Sequence, residues 1–236
     1  MIETSKIPLF LDADCAVDSY LHWDIARTPH LLVMGSTGSG KTYAVKLLLG
    51  RIAVHMPESK IIVCDYKNDD FRFLEGSPSY YSFDHCGDGL NKFFEIFQKR
   101  QRGEDSTRGF RMLVFDEWAS YISSLDKKDS EDAKKLLATL LMLGRSFNCH
   151  VLVSQQRADA AYFSTARDNF NLVIALGTLS KEGQEMFFSS FKDALKPVKR
   201  LGEGYILING AELRHLQVPT IRDNARLENA IFRLLQ

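Results

Sequence analysis

The sequence predicts an α/β protein in which a mostly parallel central sheet is flanked by helices. Three observations carry this expectation. Short apolar runs of buried-strand type, such as His30-Leu31-Leu32-Val33-Met34 and Lys60-Ile61-Ile62-Val63-Cys64-Asp65, alternate with segments whose apolar residues recur at helical spacing. The first run leads into Gly35-Ser36-Thr37-Gly38-Ser39-Gly40-Lys41-Thr42, which fits G-x-x-x-x-G-K-[ST]. A later run, Arg111-Met112-Leu113-Val114-Phe115, ends in the acids Asp116 and Glu117.

The glycine-rich stretch is read as a phosphate-binding loop. Its glycines let the backbone take left-handed dihedrals and turn its N–H groups inward, forming a nest for the α- and β-phosphates of a nucleoside triphosphate. Lys41 adds a point charge near the β- and γ-phosphates, and the Thr42 hydroxyl is placed for Mg²⁺. Tyr43 to Val54 has apolar residues at Val45, Leu48, Leu49 and Ile52, one face of a helix whose positive N-terminus points at the phosphates. The acidic run has the form of a Walker B strand: Asp116 is then the magnesium residue and Glu117 the base that orients water. Glu117 favours hydrolysis over mere binding.

Composition bounds the rest. At 236 residues and 45% hydrophobic, the chain fits one large domain spanning 1–236. Within it, 1–30 supplies opening strands, 31–200 the nucleotide-binding core, and 201–236 a C-terminal hairpin and helix. Lys plus Arg equals Asp plus Glu, at 30 each, so overall basicity gives no support to a nucleic-acid partner. Cys15, Cys64, Cys86 and Cys149 form no C-x-x-C, and His85-Cys86 and Cys149-His150 read as buried reduced thiols rather than metal half-sites. The longest apolar stretch, Leu136 to Leu143, is far short of a bilayer span, and a cytoplasmic protein is expected.

Taken in order, Ile7-Pro8-Leu9-Phe10-Leu11-Asp12 and Tyr20-Leu21-His22-Trp23-Asp24 predict a strand pair packed beside the nucleotide site. After the phosphate loop, its helix and the strand ending at Asp65, Ser79 to Phe83 predicts a short strand. Leu90 to Gln101 predicts a helix whose Phe93, Phe94 and Phe97 stripe belongs to the core. Residues 99–111 read as a basic, solvated loop. Ser130 to Phe147 predicts a long helix, followed by the strand Val151-Leu152-Val153-Ser154. Gln155, just beyond it, sits where ligands bind in open α/β sheets and is either a γ-phosphate sensor or a loop cap. Leu172 to Leu176 is a strand, and Ser180 to Phe191 a helix capped by Ser180. Leu201 to Ile208 and Glu212 to Val218 pair through an Asn209-Gly210 turn, and Asn224 to Leu235 is the last helix.

The order of these features resembles the FtsK/SpoIIIE-type DNA translocases over nearly the whole chain. The likeness is carried by Pro29-His30-Leu31-Leu32-Val33 running into the phosphate loop, Asp65-Tyr66-Lys67, Phe115-Asp116-Glu117, Gly144-Arg145, His150 through Arg157, and Leu201-Gly202-Glu203-Gly204. The turn Asp65-Tyr66-Lys67-Asn68-Asp69-Asp70 is similar to that of compact FtsK-like proteins of Gram-positive mobile and conjugative elements. The resemblance implies a RecA-like P-loop ATPase fold in which the Gln155 strand lies between those of Lys41 and Asp116. It implies catalytic roles for Glu117, Gln155 and, lent to the next subunit, Arg145 as an arginine finger, a device worth about a thousandfold or more in rate. DNA contacts would fall on Arg157 and Lys181, although Glu185 and Ala158 depart from the family pattern at neighbouring positions.

The function this implies is an ATP-hydrolysing motor, using ATP and Mg²⁺, that assembles as a ring, typically a hexamer, on double-stranded DNA in conjugative transfer or mobile-element maintenance. A membrane or secretion complex would be reached through another protein. Two alternatives stay open: a related motor for protein secretion of type VII kind, and an ATP-dependent switch with little turnover.

Overall fold

The computed structural model describes residues 6–156 and 159–236. In chain order they form β1 (Lys6–Asp12), β2 (Tyr20–Asp24), β3 (His30–Gly35), α1 (Lys41–His55), β4 (Lys60–Asp65), β5 (Tyr80–Ser82), α2 (Cys86–Gln101), β6 (Arg111–Asp116), α3 (Trp118–Ser124) and α4 (Lys127–Leu143). Then follow β7 (Cys149–Gln155), β8 (Leu172–Leu176), α5 (Lys181–Phe187), β9 (Glu203–Ile208), β10 (Glu212–Gln217) and α6 (Asn224–Leu234). All described strands join one sheet in the order β2-β1-β10-β9-β8-β3-β7-β6-β4-β5. From β8 to β5 neighbours are parallel; from β8 to β2 they are antiparallel.

The apolar runs are continuous because both sheet faces are covered. Leu31 and Val33 of β3 point to the layer formed by α1 and α6, whereas Leu32 and Met34 point to the layer formed by α2, α3 and α4. The same period of two sends Ile61 and Val63 to the first layer and Ile62 and Cys64 to the second. Each such side chain, fully buried, contributes about 1.5–3 kcal/mol. Phe93 and Phe97 are core residues of the second layer, as their spacing predicts.

β7 lies between β3 and β6, the order the resemblance implies, which brings the ends of three strands together at one edge. The β9–β10 turn has Asn209 at φ 49° and Gly210 at φ 66°, with Ala211 N–H donating to the Ile208 carbonyl, as a type I′ hairpin requires.

Several expectations are corrected. The opening strand pair is not beside the nucleotide site: β10, β9 and β8 separate it from β3, because β1 attaches to the edge that the C-terminal hairpin creates. α3 is a helix not expected from the sequence, and the helix expected from Ser130 to Phe147 begins earlier, at Lys127, and stops at Leu143, giving way to a 3₁₀ turn over Gly144–Phe147. The helix expected to reach Phe191 breaks at Phe188. Cys86 and Cys149 are buried free thiols, as expected, and so is Cys64, whereas Cys15 is exposed. The stretch 99–111, expected as a solvated loop, is not merely that: residues 99–101 finish α2, Arg100 among them is buried, and Arg111 opens β6.

Candidate nucleotide site

The phosphate loop spans the C-terminal end of β3 and the start of α1. Gly38 and Gly40 take φ of 80° and 97°, and a side chain at Gly35 would strike Ser39 Oγ at 2.3 Å and the Leu176 carbonyl at 2.6 Å. The loop is therefore a backbone cradle that larger residues would close. No side chain caps α1 and its first turn holds no acid, so its leading N–H groups are left for an anion. Gly177 and Gly202, both left-handed, press against the loop from behind, and Gly202 N–H donates to the Ser39 carbonyl at 3.2 Å. Thr42 is half-buried at the base of the cradle. A cleft of about 600 Å³, lined by Gly35, Ser36, Thr37, Gln156 and Thr178, opens above it.

Lys41 is buried with its Nζ 3.7 Å from Glu117 Oε1. Glu117 is held at φ 56°, left-handed backbone that a non-glycine residue rarely takes, at the head of α3. The turn points Glu117 at the loop rather than along the strand. Asp116, at the end of β6, is 1% exposed, and neither of its carboxylate oxygens has a hydrogen-bond partner among the described residues. Burial pushes its carboxyl up to about 7; the Ser154 hydroxyl pulls the other way without meeting hydrogen-bond geometry, and the Glu117 and Asp65 carboxylates push it up further. Buried polar groups are seldom left unsatisfied, and Ser39 Oγ and Ser154 Oγ are orphaned too. A carboxylate in this state fits a hard cation and its oxygen ligands.

Asp65, at the matching end of β4, has a different part. It accepts from Asn68 N–H and Phe71 N–H, both at 3.0 Å, and from Tyr80 Oη at 3.2 Å, so it braces the turn after β4 rather than facing a ligand.

Gln155 ends β7 fully buried, paired with Met34 beside the phosphate loop. Its neighbour Gln156, which no motif singles out, accepts from Thr37 Oγ1 at 3.3 Å and so links the loop tip to β7. Arg145 is exposed in the turn before β7, at the N-terminal end of that strand, whereas Asp116 and Lys41 lie at the C-terminal end of the sheet. A strand of this length spans roughly 20 Å, so Arg145 cannot serve its own chain's site. Lys181 is exposed at the first position of α5, which Ser180 caps by accepting from Gly183 N–H at 3.1 Å; Glu185 pairs with Lys192. Arg157 lies outside the described residues.

Comparison with known proteins agrees with this architecture. The model of the FtsK/SpoIIIE family matches residues 2–222. The FtsK domain-containing protein YdcQ of Bacillus subtilis (strain 168) is 26% identical over 219 residues, covering 86% of this chain and 45% of YdcQ. The DNA translocase FtsK of Borreliella burgdorferi is 22% identical over 180 residues, 64% of this chain and 22% of that protein. The chain thus spans less than half the length of either relative. Among solved structures, the pCW3 conjugation coupling protein TcpA, in its monomer form with ATPγS, superposes with a TM-score of 0.77 at 18% identity, covering 100% of this chain and 72% of that one. The cytoplasmic domain of the Thermomonospora curvata type VII secretion ATPase EccC gives 0.72 at 21% identity, covering 98% and 31%. At these identities the likeness is one of fold, and it is the RecA-like α/β fold of P-loop ATPases.

Proposed function

The chain belongs to the FtsK/SpoIIIE family, and on that premise we propose that it is an ATP-hydrolysing motor, assembled as a ring, whose track is double-stranded DNA. The observation that carries this reading is the convergence of Lys41, Asp116 and Glu117 at one end of the sheet, with Arg145 exposed at the other. One copy supplies a cradle, a cation site and a base; the finger comes from the next copy.

In this mechanism the loop N–H groups and α1 hold the phosphates, and Lys41 leaves Glu117 for the β- and γ-phosphates. Released from Lys41, Glu117 accepts a proton from the attacking water. Gln155 faces the terminal phosphate from the strand between them. Thr42 and Asp116 would hold Mg²⁺, which when bound neutralises charge on the phosphate oxygens. The neighbour's Arg145 offsets the charge that develops on the transferred phosphoryl group. A head-to-tail contact of this kind closes into a ring when its rotation allows. Conjugative transfer or mobile-element maintenance is the setting this reading favours, and Lys181 and Arg157 are the candidate contacts to the DNA backbone.

ATPase measured with and without duplex DNA over a salt series tests the track. Stimulation at low salt that falls steeply as salt rises is expected, because backbone contacts release counterions. An active enzyme that duplex DNA leaves unstimulated at low salt would remove DNA from the account. One observation favours a second reading, a polypeptide cargo: the groove beside Glu117 is lined by Asp159 and Glu182, and Glu185 is acidic where the resemblance implies a base. Stimulation by a basic helical protein in place of DNA would establish it.

A further inference from the structure

Arg100, in the last turn of α2, is a buried cation, 2% exposed, and its guanidinium reaches two separate backbone segments and one carboxylate. Nη1 donates to the Phe147 carbonyl at 2.7 Å and the Asn148 carbonyl at 3.2 Å, Nη2 to the Gly109 carbonyl at 2.8 Å, and Nε to Asp105 Oδ2 at 3.1 Å. Gly109 stands just before β6 and Asn148 just before β7, the two strands whose far ends carry Asp116 and Gln155. Phe147 and Asn148 also close the turn that displays Arg145.

The rest of that turn is equally tied down. Asn148 N–H donates to the Arg145 carbonyl at 3.2 Å, Arg108 Nη1 to the Ser146 carbonyl at 3.2 Å, and Arg111 N–H to the Asn148 carbonyl at 3.1 Å. A side chain at Gly144 would strike the Cys149 carbonyl at 2.3 Å, so the turn lies flat against β7. Every carbonyl from 145 to 148 is therefore engaged, while the Arg145 guanidinium is exposed and makes no ion pair among the described residues. The base is fixed and the head is free.

We propose that Arg100 is the positioning residue for Arg145: it fastens the finger's turn to the bases of β6 and β7, so that the head is presented to the neighbouring copy at a set height and angle. This rests on the reading that Arg145 acts in trans. A planar fork is needed for the task, because a lysine ammonium cannot reach carbonyls of both strand bases in one fixed geometry. Misplacing a catalytic group by about 1 Å costs on the order of 100-fold in rate, which is the scale a loosened turn should show.

The test uses Arg100→Lys in the whole chain, alongside Arg145→Ala and Glu117→Gln. Arg100→Lys is expected to bind a fluorescent ATP analogue as the parent does and to keep its KM, while kcat falls about 10- to 100-fold. Mixing it with Glu117→Gln, which lacks the base but has an intact finger, is expected to restore turnover as it does for Arg145→Ala. Unchanged kcat, a loss that mixing does not restore, or an equal loss of nucleotide affinity would overturn the proposal and leave Arg100 a loop staple. Should Arg100→Lys fail to fold, Asp105→Ala, which releases Nε from outside, decides in its place: a smaller kcat loss restored by the same mixing supports the proposal, and unchanged kcat overturns it. Full turnover by Arg145→Ala is a different failure, since it removes the finger itself.

Discussion

Glu117→Gln is expected to lower ATP turnover by about a thousandfold while nucleotide affinity stays the same or rises. The amide keeps the shape of the side chain but cannot take a proton, and loss of a positioned base costs roughly 100- to 10,000-fold. Affinity should rise because Lys41 Nζ lies 3.7 Å from Glu117 Oε1 and must leave that carboxylate to meet the phosphates. A neutral partner lets it go more easily. Single-turnover phosphate release together with equilibrium binding of a fluorescent ATP analogue separates the two effects. A variant that hydrolyses ATP at the parent rate would make Glu117 a structural partner of Lys41 and favour the low-turnover switch.

Asp116→Asn is expected to abolish Mg²⁺-dependent hydrolysis and yet stabilise the nucleotide-free protein. With its carboxyl raised to about 7 by burial, the folded state keeps a proton that the unfolded state loses near pH 4. The folded state therefore binds more protons across that window, and its stability falls as pH rises from about 4 to about 7, then levels off. Removing the charge at pH 8 should return on the order of 2–4 kcal/mol in metal-free buffer, read as a higher urea midpoint with an unchanged slope. The parent should then gain stability on adding Mg²⁺ with nucleotide, and the variant should gain less. A destabilised Asp116→Asn would show that the carboxylate has a partner inside the protein and is not held in reserve for a cation.

These two residues also show what the chain makes legible and what it hides. Lys41, Asp116 and Glu117 are readable because a motif and a strand pattern fix them locally, and the parallel sheet then has one edge to which both must come. That Glu117 turns back toward Lys41 depends on one left-handed residue, which no periodicity reports. Asp65 reads like Asp116, a carboxylate ending a buried strand, but only the distant Tyr80 and the turn amides show that it is fully engaged. α3 escaped because seven residues with three serines carry too little helical signal. The opening strand pair joins the β10 edge, three strands from β3, and not the strand that carries the phosphate loop, because local alternation says nothing about which edge a strand joins. Arg100 sits among four other basic residues in a polar stretch, and only partners some 5 to 48 positions away reveal that it is buried and bound.

The central claim, that each site is made from two copies of the chain, is tested most directly by mixing Arg145→Ala with Glu117→Gln. Each variant alone should be nearly inactive. In an equal mixture that assembles at random, about a quarter of the sites combine an intact Glu117 with a neighbour's intact Arg145. Turnover per site should therefore return to roughly a quarter of the parent value on assembly. A mixture as inactive as its components would contradict the shared site, as would Arg145→Ala turning over at the parent rate by itself.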